Sequence, residues 1–230
     1  MDTAHGATSA TLSTFTAGDG ENLALYDWPA HHGAHPRAMV LLVHGLGEHM
    51  GRYETLARRL RDWGFAVRGY DQYGHGESGG PRGGLSSGTR LLDDLGDIVD
   101  DTRARLNRRR IPATQLILLG HSLGGLVAAR FVSLKMRPVD ALGLSSPALD
   151  AGLSGLQKFL VATLPKVAPN LRVGKGLDTR FLSHDPAVEA AYRADPRVHD
   201  RIAARLALFI AEAGPATLAQ APRWTVPTLL

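Results

Sequence analysis

Short apolar runs alternate with longer segments of helical periodicity through residues 38–144, and this alternation restricts the fold more than any other feature. The apolar runs are residues 38–43, 65–70, 116–119 and 141–144. Helical spacing of apolar residues covers the segments between them, residues 53–63, 89–108 and 123–134. Continuous apolar runs are typical of strands buried on both faces, and strands that alternate with helices form mostly parallel sheets. The sequence therefore predicts an α/β fold in which helices flank a mostly parallel sheet.

The chain divides into three predicted parts. Residues 1–147 form the first part of the core, which includes an N-terminal hairpin of residues 12–15 and 23–28. Residues 148–222 break the alternation and are predicted to be an inserted helical cap. The helical pieces of this cap are interrupted by Pro165, Pro169, Pro186, Pro196 and Pro215. Residues 223–230 begin a further buried core strand in which the chain ends, so we expect the last core strands and helices to be missing.

Composition excludes several kinds of chemistry. The 230 residues include no cysteine, so the chain has no disulfide, no thiolate metal site and no cysteine nucleophile. The net charge is only +4, and the densest basic run, residues 108–110, lies at a predicted helix end where cations are favourable. We predict no nucleic-acid partner, no metal and no cofactor. Residues 1–20 lack the basic and apolar segments of a signal peptide, which predicts a cytoplasmic protein.

The pattern G-x-S-x-G occurs at residues 120–124, between an apolar run and a helix rich in small residues. A sharp turn at this junction strains the backbone of the serine, and side chains in place of the glycines would collide with neighbouring elements. The turn places Ser122 at the positive end of the helix. We predict that Ser122 is a catalytic nucleophile. The alternative is a glycine-rich turn with an incidental serine.

Acyl transfer also needs main-chain donors for the oxygen that becomes negative. One donor is expected to be the amide of Leu123, directly after the nucleophile. The other is expected in the loop after the apolar run of residues 38–43. Leu46 is predicted as this second donor, because the glycines on either side let the main chain approach the substrate.

Five stretches of the chain resemble, in order and spacing, the monoacylglycerol lipases and bacterial lysophospholipase-like hydrolases of the α/β-hydrolase superfamily. They are residues 44–53, 71–78, 120–125, 144–147 and 225–227. The resemblance implies an α/β-hydrolase fold, a mobile helical cap and hydrolysis of glycerol or lysophospholipid monoesters through an acyl-enzyme. It also implies that Glu48 and Arg52 contact the leaving group, with a local salt bridge between the two as the alternative.

Apolar residues recur at helical spacing in the predicted cap, at Leu153, Leu156, Phe159, Leu160 and Leu164. Such a stripe packs on the body of the protein, or it lines an acyl tunnel or touches a membrane. The apolar surface is widened by Val161, Val167 and Leu171, which favours the lipid interpretation. We therefore predict a small lipid ester as substrate, with transient membrane-surface contact through the cap.

The nucleophile lacks its expected partners in this chain. In this fold the serine is followed by an acid and then by a histidine, both on loops after later strands. The two later histidines, His184 and His199, fall in the predicted cap, and Asp140 precedes a strand. The resemblance places the acid after the strand that begins near residue 225. We therefore predict an inactive chain without a normal triad.

Three functions remain open on the sequence. The leading hypothesis is a serine carboxylic ester hydrolase that acts on monoacylglycerol or lysophospholipid. A small-acyl esterase or a peptidase on the same fold is the second. A catalytically dead binding protein that keeps the serine turn is the third.

Overall fold

The computed structural model describes residues 10–30, 35–111, 114–150, 152, 155–174 and 182–230. Its strands are β1 (Thr11–Thr16), β2 (Asn22–Trp28), β3 (Met39–Val43), β4 (Ala66–Tyr70), β5 (Leu116–His121), β6 (Ala141–Ser145), β7 (Arg172–Gly174), β8 (Arg201–Ala203) and β9 (Thr228–Leu229). Its α-helices are α1 (Glu54–Asp62), α2 (Arg90–Arg108), α3 (Leu123–Ser133), α4 (Gly155–Val167), α5 (Pro186–Ala194) and α6 (Ala204–Leu218). Short 3-10 helices cover Met50–Tyr53 and Ala221–Arg223.

The main sheet has seven strands in the order β1-β2-β4-β3-β5-β6-β9. The predicted hairpin is present, since β1 and β2 pair antiparallel, and β2 also pairs antiparallel with β4. The other pairs of this sheet, β4 with β3, β3 with β5, β5 with β6 and β6 with β9, are parallel. The mostly parallel sheet that the alternating pattern predicts is therefore confirmed.

The central strands β3 and β4 are buried on both faces, as continuous apolar runs require. On one face α2 and α3 cover the sheet, with Leu95, Leu126 and Phe131 completely buried. On the other face α1 and the first 3-10 helix lie over a cluster that contains Trp28 and Met50. These two layers fix the strand register, because a shift by one residue would turn every buried side chain to the opposite face.

The parallel register brings three loops together at one edge of the sheet. Val43 at the end of β3 lies opposite Gly120 of β5, and His121 lies opposite Ser145 of β6. The carboxyl ends of parallel strands share one edge, so the segments that follow residues 43, 121 and 145 are neighbours.

The segment between β6 and β9 is more closely joined to the body than a separate lid would be. It contains α4, α5 and α6 together with a small antiparallel pair of β7 and β8. The last of these helices, α6, packs against α3, and its Leu206 and Phe209 belong to the same buried cluster as the sheet. Residues inside the predicted cap boundaries thus contribute to the main core.

The strand predicted at residues 223–230 is present as β9, and Trp224 and Val226 before it pack against the core. The strand β9 does pair parallel with β6, but Leu229 is 78% exposed and Leu230 is 82% exposed. It lies at the sheet edge, with β6 as its only neighbour among the described strands. An apolar run is buried only where other elements cover it, and the run itself carries no information about its cover.

Candidate active site

Ser122 occupies the tight turn between β5 and α3. Its backbone has φ 50° and ψ −115°, a strained conformation for a residue with a side chain. Backbone hydrogen bonds hold it there: its N–H donates to the carbonyl of Ser145 at 2.9 Å, and its carbonyl accepts from Leu126 at 3.0 Å and Ala148 at 3.1 Å. The residue is half-buried. Surrounding hydrogen bonds thus maintain a conformation that the serine would not adopt alone.

Close packing explains why residue 124, in the first turn of α3, is a glycine. A Cβ added at Gly124 would overlap the main-chain oxygens of Val43 and His44. The first turn of α3 therefore lies directly against the end of β3 and the loop that follows it. Leu123, whose amide is the first predicted oxyanion donor, is buried in that same turn.

The loop after β3 lies beside the nucleophile, as the sheet register requires. A Cβ added at Gly45 would be 3.3 Å from the Cβ of Ser122. Leu46, the second predicted donor, follows Gly45 directly and is half-buried. The structure therefore brings Ser122, Leu123 and the loop that contains Leu46 into one small region.

Glu48 bonds within its own loop. Its Oε1 accepts a hydrogen bond from the main-chain N–H of Gly45 at 2.6 Å and from the hydroxyl of Tyr53 at 2.7 Å. Its Oε2 lies 3.7 Å from Nε of Arg52. Burial raises the pKa of Tyr53 well above its usual value, and the negative charge of Glu48 raises it further. The local ion pair offered as the alternative for Glu48 and Arg52 is thus present.

Residues 192–199 fasten the inserted segment to this loop. The guanidinium of Arg52 lies 4.7 Å from the ring centroid of Tyr192, a cation–π contact. His49 Nε2 lies 2.8 Å from Asp195 Oδ2. The N–H of His199 donates to the carbonyl of Gly47 at 3.0 Å. Three contacts therefore connect the predicted cap to the loop beside Ser122.

The His49–Asp195 pair is shifted electrostatically in a consistent way. Burial lowers the pKa of His49, and the hydrogen bond to Asp195 only partly offsets this effect. Burial alone would raise the pKa of Asp195, but hydrogen bonds from Arg197 and His49 lower it well below its usual value. At neutral pH His49 is therefore a neutral imidazole that donates a hydrogen bond to the carboxylate of Asp195.

Among the described residues, no acid or base side chain is hydrogen-bonded to the Ser122 hydroxyl. His121 Nδ1 turns to Ser145, at 3.1 Å from both its carbonyl and its hydroxyl oxygen. His184 is exposed. The carboxylate of Asp140 accepts from the N–H of Leu116 at the opposite end of β5.

Sequence reasoning missed three residues of this region. Tyr53 lies within the similar stretch of residues 44–53, so its presence there was visible although its role was not. Tyr192 and Asp195 had no local signal, because they reach the loop only through the folded chain. Part of the predicted apolar stripe cannot be placed, since Leu153 and the side chains of Leu156 and Phe159 lie outside the described residues.

The sheet with its strained serine turn and the main-chain amides beside it define a serine hydrolase of the α/β-hydrolase class. The family model described as serine aminopeptidase, S33 (Hydrolase_4) matches residues 34–230. The chain belongs to this family. The predicted α/β-hydrolase fold and the predicted membership in this superfamily are thereby confirmed.

Individual relatives and a solved structure agree with this assignment. The chain is 36% identical over 200 residues to a monoacylglycerol lipase of Mycolicibacterium smegmatis, which covers 85% of this chain and 69% of the relative. It is 29% identical over 226 residues to an uncharacterized abhydrolase domain-containing protein of Dictyostelium discoideum, where it spans 23% of the relative. The crystal structure of a monoacylglycerol lipase from Paleococcus ferrophilus superimposes with a TM-score of 0.77 at 33% identity, over 90% of this chain and 76% of that one.

Proposed function

We propose that this protein is a serine carboxylic ester hydrolase that acts on monoacylglycerol or lysophospholipid through an acyl-enzyme on Ser122. The observation that carries the proposal is the strained backbone of Ser122 at the start of α3, beside the loop that contains Leu46. The names of the lipase relatives support the substrate class.

In the proposed mechanism the Ser122 hydroxyl attacks the ester carbonyl. The bond from Oγ to the acyl carbon forms, and the carbonyl oxygen becomes negative in the tetrahedral intermediate. The amides of Leu46 and Leu123 donate to this oxygen, and the positive end of α3 adds to the stabilisation. The bond from the acyl carbon to the leaving oxygen then breaks, and this oxygen takes up a proton as the alcohol departs. Water hydrolyses the acyl-enzyme, which releases the carboxylic acid and restores the Ser122 hydroxyl. The proton transfers need a base, and the absence of a normal triad in this chain stays a prediction.

Arg52 is our proposed contact for the leaving alcohol. It lines a cleft of about 790 Å³ together with His49, Glu77, Asp195 and Arg197. These charged groups can bind a glycerol or a phosphate-bearing head group. The rest of the lining includes apolar residues such as Leu12 and Ala191, and Ser122 is not part of it.

The proposed cap, residues 148–222, is also the proposed site of acyl-chain and membrane contact. Several apolar side chains in α4 and just after it are exposed. The exposed fraction is 48% for Leu160, 81% for Val167 and 50% for Leu171. Exposed apolar side chains of this kind are suited to contact with a lipid surface. No helix in the described part of the chain is long and apolar enough to cross a membrane. We propose a cytoplasmic location with peripheral contact at the membrane.

A fluorophosphonate probe tests the nucleophile in the full chain. We expect Ser122 to be labelled slowly, because the oxyanion donors retain part of the rate even without a triad base. Ser122→Ala should abolish this labelling, and Ser87→Ala, which changes an exposed serine, should leave it intact. If the wild-type chain is not labelled, the proposed hydrolase is wrong and the binding protein is favoured.

A substrate panel separates the enzymatic alternatives. It contains a long-chain monoacylglycerol, a lysophospholipid, a short acyl ester and an aminoacyl anilide, and it is read against Ser122→Ala. Turnover of the first two supports the lipid proposal. Turnover of the aminoacyl anilide alone would support a peptidase, in line with the description of the family.

A further inference from the structure

We propose that Glu48 is a positioning residue that holds the loop of residues 44–48 in the shape needed to stabilise the oxyanion, rather than a ligand of the leaving alcohol. This inference rests on the proposed function, because the loop matters for catalysis only if Ser122 is acylated.

The carboxylate of Glu48 is directed inward to its own loop. Its Oε1 accepts from the N–H of Gly45 at 2.6 Å, which closes a ring between residues 45 and 48, and it also accepts from Tyr53 at 2.7 Å. The side chain is only 15% exposed. Hydrogen bonds to an ionised acceptor are about twice as strong as neutral ones, so this carboxylate is a firm anchor.

The contact with Gly45 also selects the donor. Because the N–H of Gly45 donates to Glu48, it does not serve the oxyanion, and Leu46 stays our proposed donor from this loop. A Cβ added at Gly45 would lie 2.8 Å from Glu48 Oε1 and 3.3 Å from the Cβ of Ser122. Residue 45 therefore lies between the carboxylate and the nucleophile, and a shift of the carboxylate moves the main chain next to Ser122.

Tyr53 and His199 brace the same loop from two sides. The raised pKa of Tyr53 keeps its hydroxyl protonated, so it remains a donor to Glu48 across the neutral and alkaline range. The N–H of His199 donates to the carbonyl of Gly47, the residue before Glu48. Both contacts hold the end of the loop at residues 47 and 48, and the link from Glu48 to Gly45 connects this fixed end to the residue beside Ser122.

A reagent without an alcohol distinguishes the two roles of Glu48. When Oγ of Ser122 bonds to phosphorus, the phosphorus–fluorine bond breaks, and fluoride and the hydroxyl proton pass to the solvent. The phosphoryl oxygen takes the oxyanion position. An alcohol ligand would have no part in this reaction. A positioning residue would still be required, because misplacement of a catalytic group by about 1 Å can cost roughly 100-fold in rate.

The test measures the saturation kinetics of Ser122 phosphonylation in the full-length chain. We expect Glu48→Ala to lower the maximal rate constant about 10-fold or more and to change the half-saturating concentration less than about 3-fold. Glu48→Gln should restore most of the rate, because the amide oxygen still accepts from Gly45 and Tyr53. Tyr53→Phe should give an intermediate loss. Glu212→Ala, at an exposed glutamate of α6, is the matched control and should match the wild type.

Amide hydrogen exchange at Gly45 gives a readout that does not need a reactive serine. We expect exchange about 10-fold faster in Glu48→Ala than in wild type, and near-wild-type exchange in Glu48→Gln. Unchanged phosphonylation in Glu48→Ala, or unchanged exchange at Gly45, overturns the positioning role. A wild-type chain that is not labelled overturns the proposed function instead, and the exchange data then decide whether Glu48 holds the loop.

Discussion

At the residue scale, the serine turn shows how local strain depends on close packing. Ser122 keeps φ 50° because three backbone hydrogen bonds fix the residue between β6, α3 and the chain after β6. Gly124 permits the approach of α3 to the end of β3 that this geometry needs. The pattern of two glycines around a serine is therefore a packing requirement as much as a catalytic one.

Gly124→Ala should destabilise the fold severely. The new methyl group would overlap the main-chain oxygens of Val43 and His44, which cannot move without shifting β3. We expect a loss of about 3 kcal/mol in the free energy of unfolding, measured by urea denaturation. Gly88→Ala is the matched control, because nothing lies within 4 Å of a Cβ added there, and it should change stability by less than about 0.5 kcal/mol. Equal stabilities of the two variants would contradict the packing described for α3.

At the element scale, α6 is the helix that joins the inserted segment to the core. Its Leu206 is completely buried, whereas Leu218 at the other end of the same helix is 51% exposed. The helix packs on α3, which carries Ser122 at its start. The core cluster thus includes residues of α6 but no described residue of α4 or α5.

Leu206→Ala should unfold the core and the insertion together. Removal of a fully buried leucine costs about 3 kcal/mol, from lost burial and the cavity left behind. We expect a single cooperative transition at lower denaturant, with the same midpoint by fluorescence and by far-UV circular dichroism. Leu218→Ala removes the same atoms from an exposed position and should cost less than about 1 kcal/mol. Two separate transitions in the Leu206→Ala variant would instead favour an independent cap.

At the scale of the whole molecule, one charged contact joins segments that are 146 residues apart. His49 is the N-cap of the first 3-10 helix, and Asp195 lies between α5 and β8. Long-range contacts of this kind fix the insertion relative to the sheet, and their strength depends on protonation.

Asp195→Asn should lower stability in a way that depends on pH. The folded state lowers the pKa of Asp195, so its contribution is present above the ordinary value of 3.8 and is lost as the pH falls below it. The folded state also lowers the pKa of His49, so its contribution is present above 6.5 and declines below that pH.

We expect the variant to be about 2 kcal/mol less stable than wild type at pH 7, and the difference to shrink below pH 3.8, in urea denaturation at a series of pH values. Asp200→Asn, at a side chain that is 77% exposed, should show no such difference. A difference between Asp195→Asn and wild type that is the same at pH 3 and pH 7 would show that the charge of Asp195 is not involved.

Prediction from sequence was accurate where the signal was local. Residues 38–43 and 116–119 formed strands of the central sheet, the first fully buried and the second with Ile117 and Leu119 half-buried, because continuous apolar runs are typical of central strands. The serine turn was visible because glycine is needed where main chains meet. Burial along residues 223–230 is uneven, since Trp224 and Val226 pack against the core whereas Leu229 and Leu230 are exposed. Cover by other elements is not written in the run that needs it.

By itself, the sequence determined the alternating strands and helices, the place of Ser122 between them and the family. Periodicity and glycine spacing act over a few residues, so they can be recognised before the chain folds. Only the tertiary structure decided that Glu48 bonds to its own loop, that α6 belongs to the core and that Asp195 reaches His49. These are choices among partners, and a side chain finds its partner only after the whole chain has brought distant segments within a few ångströms.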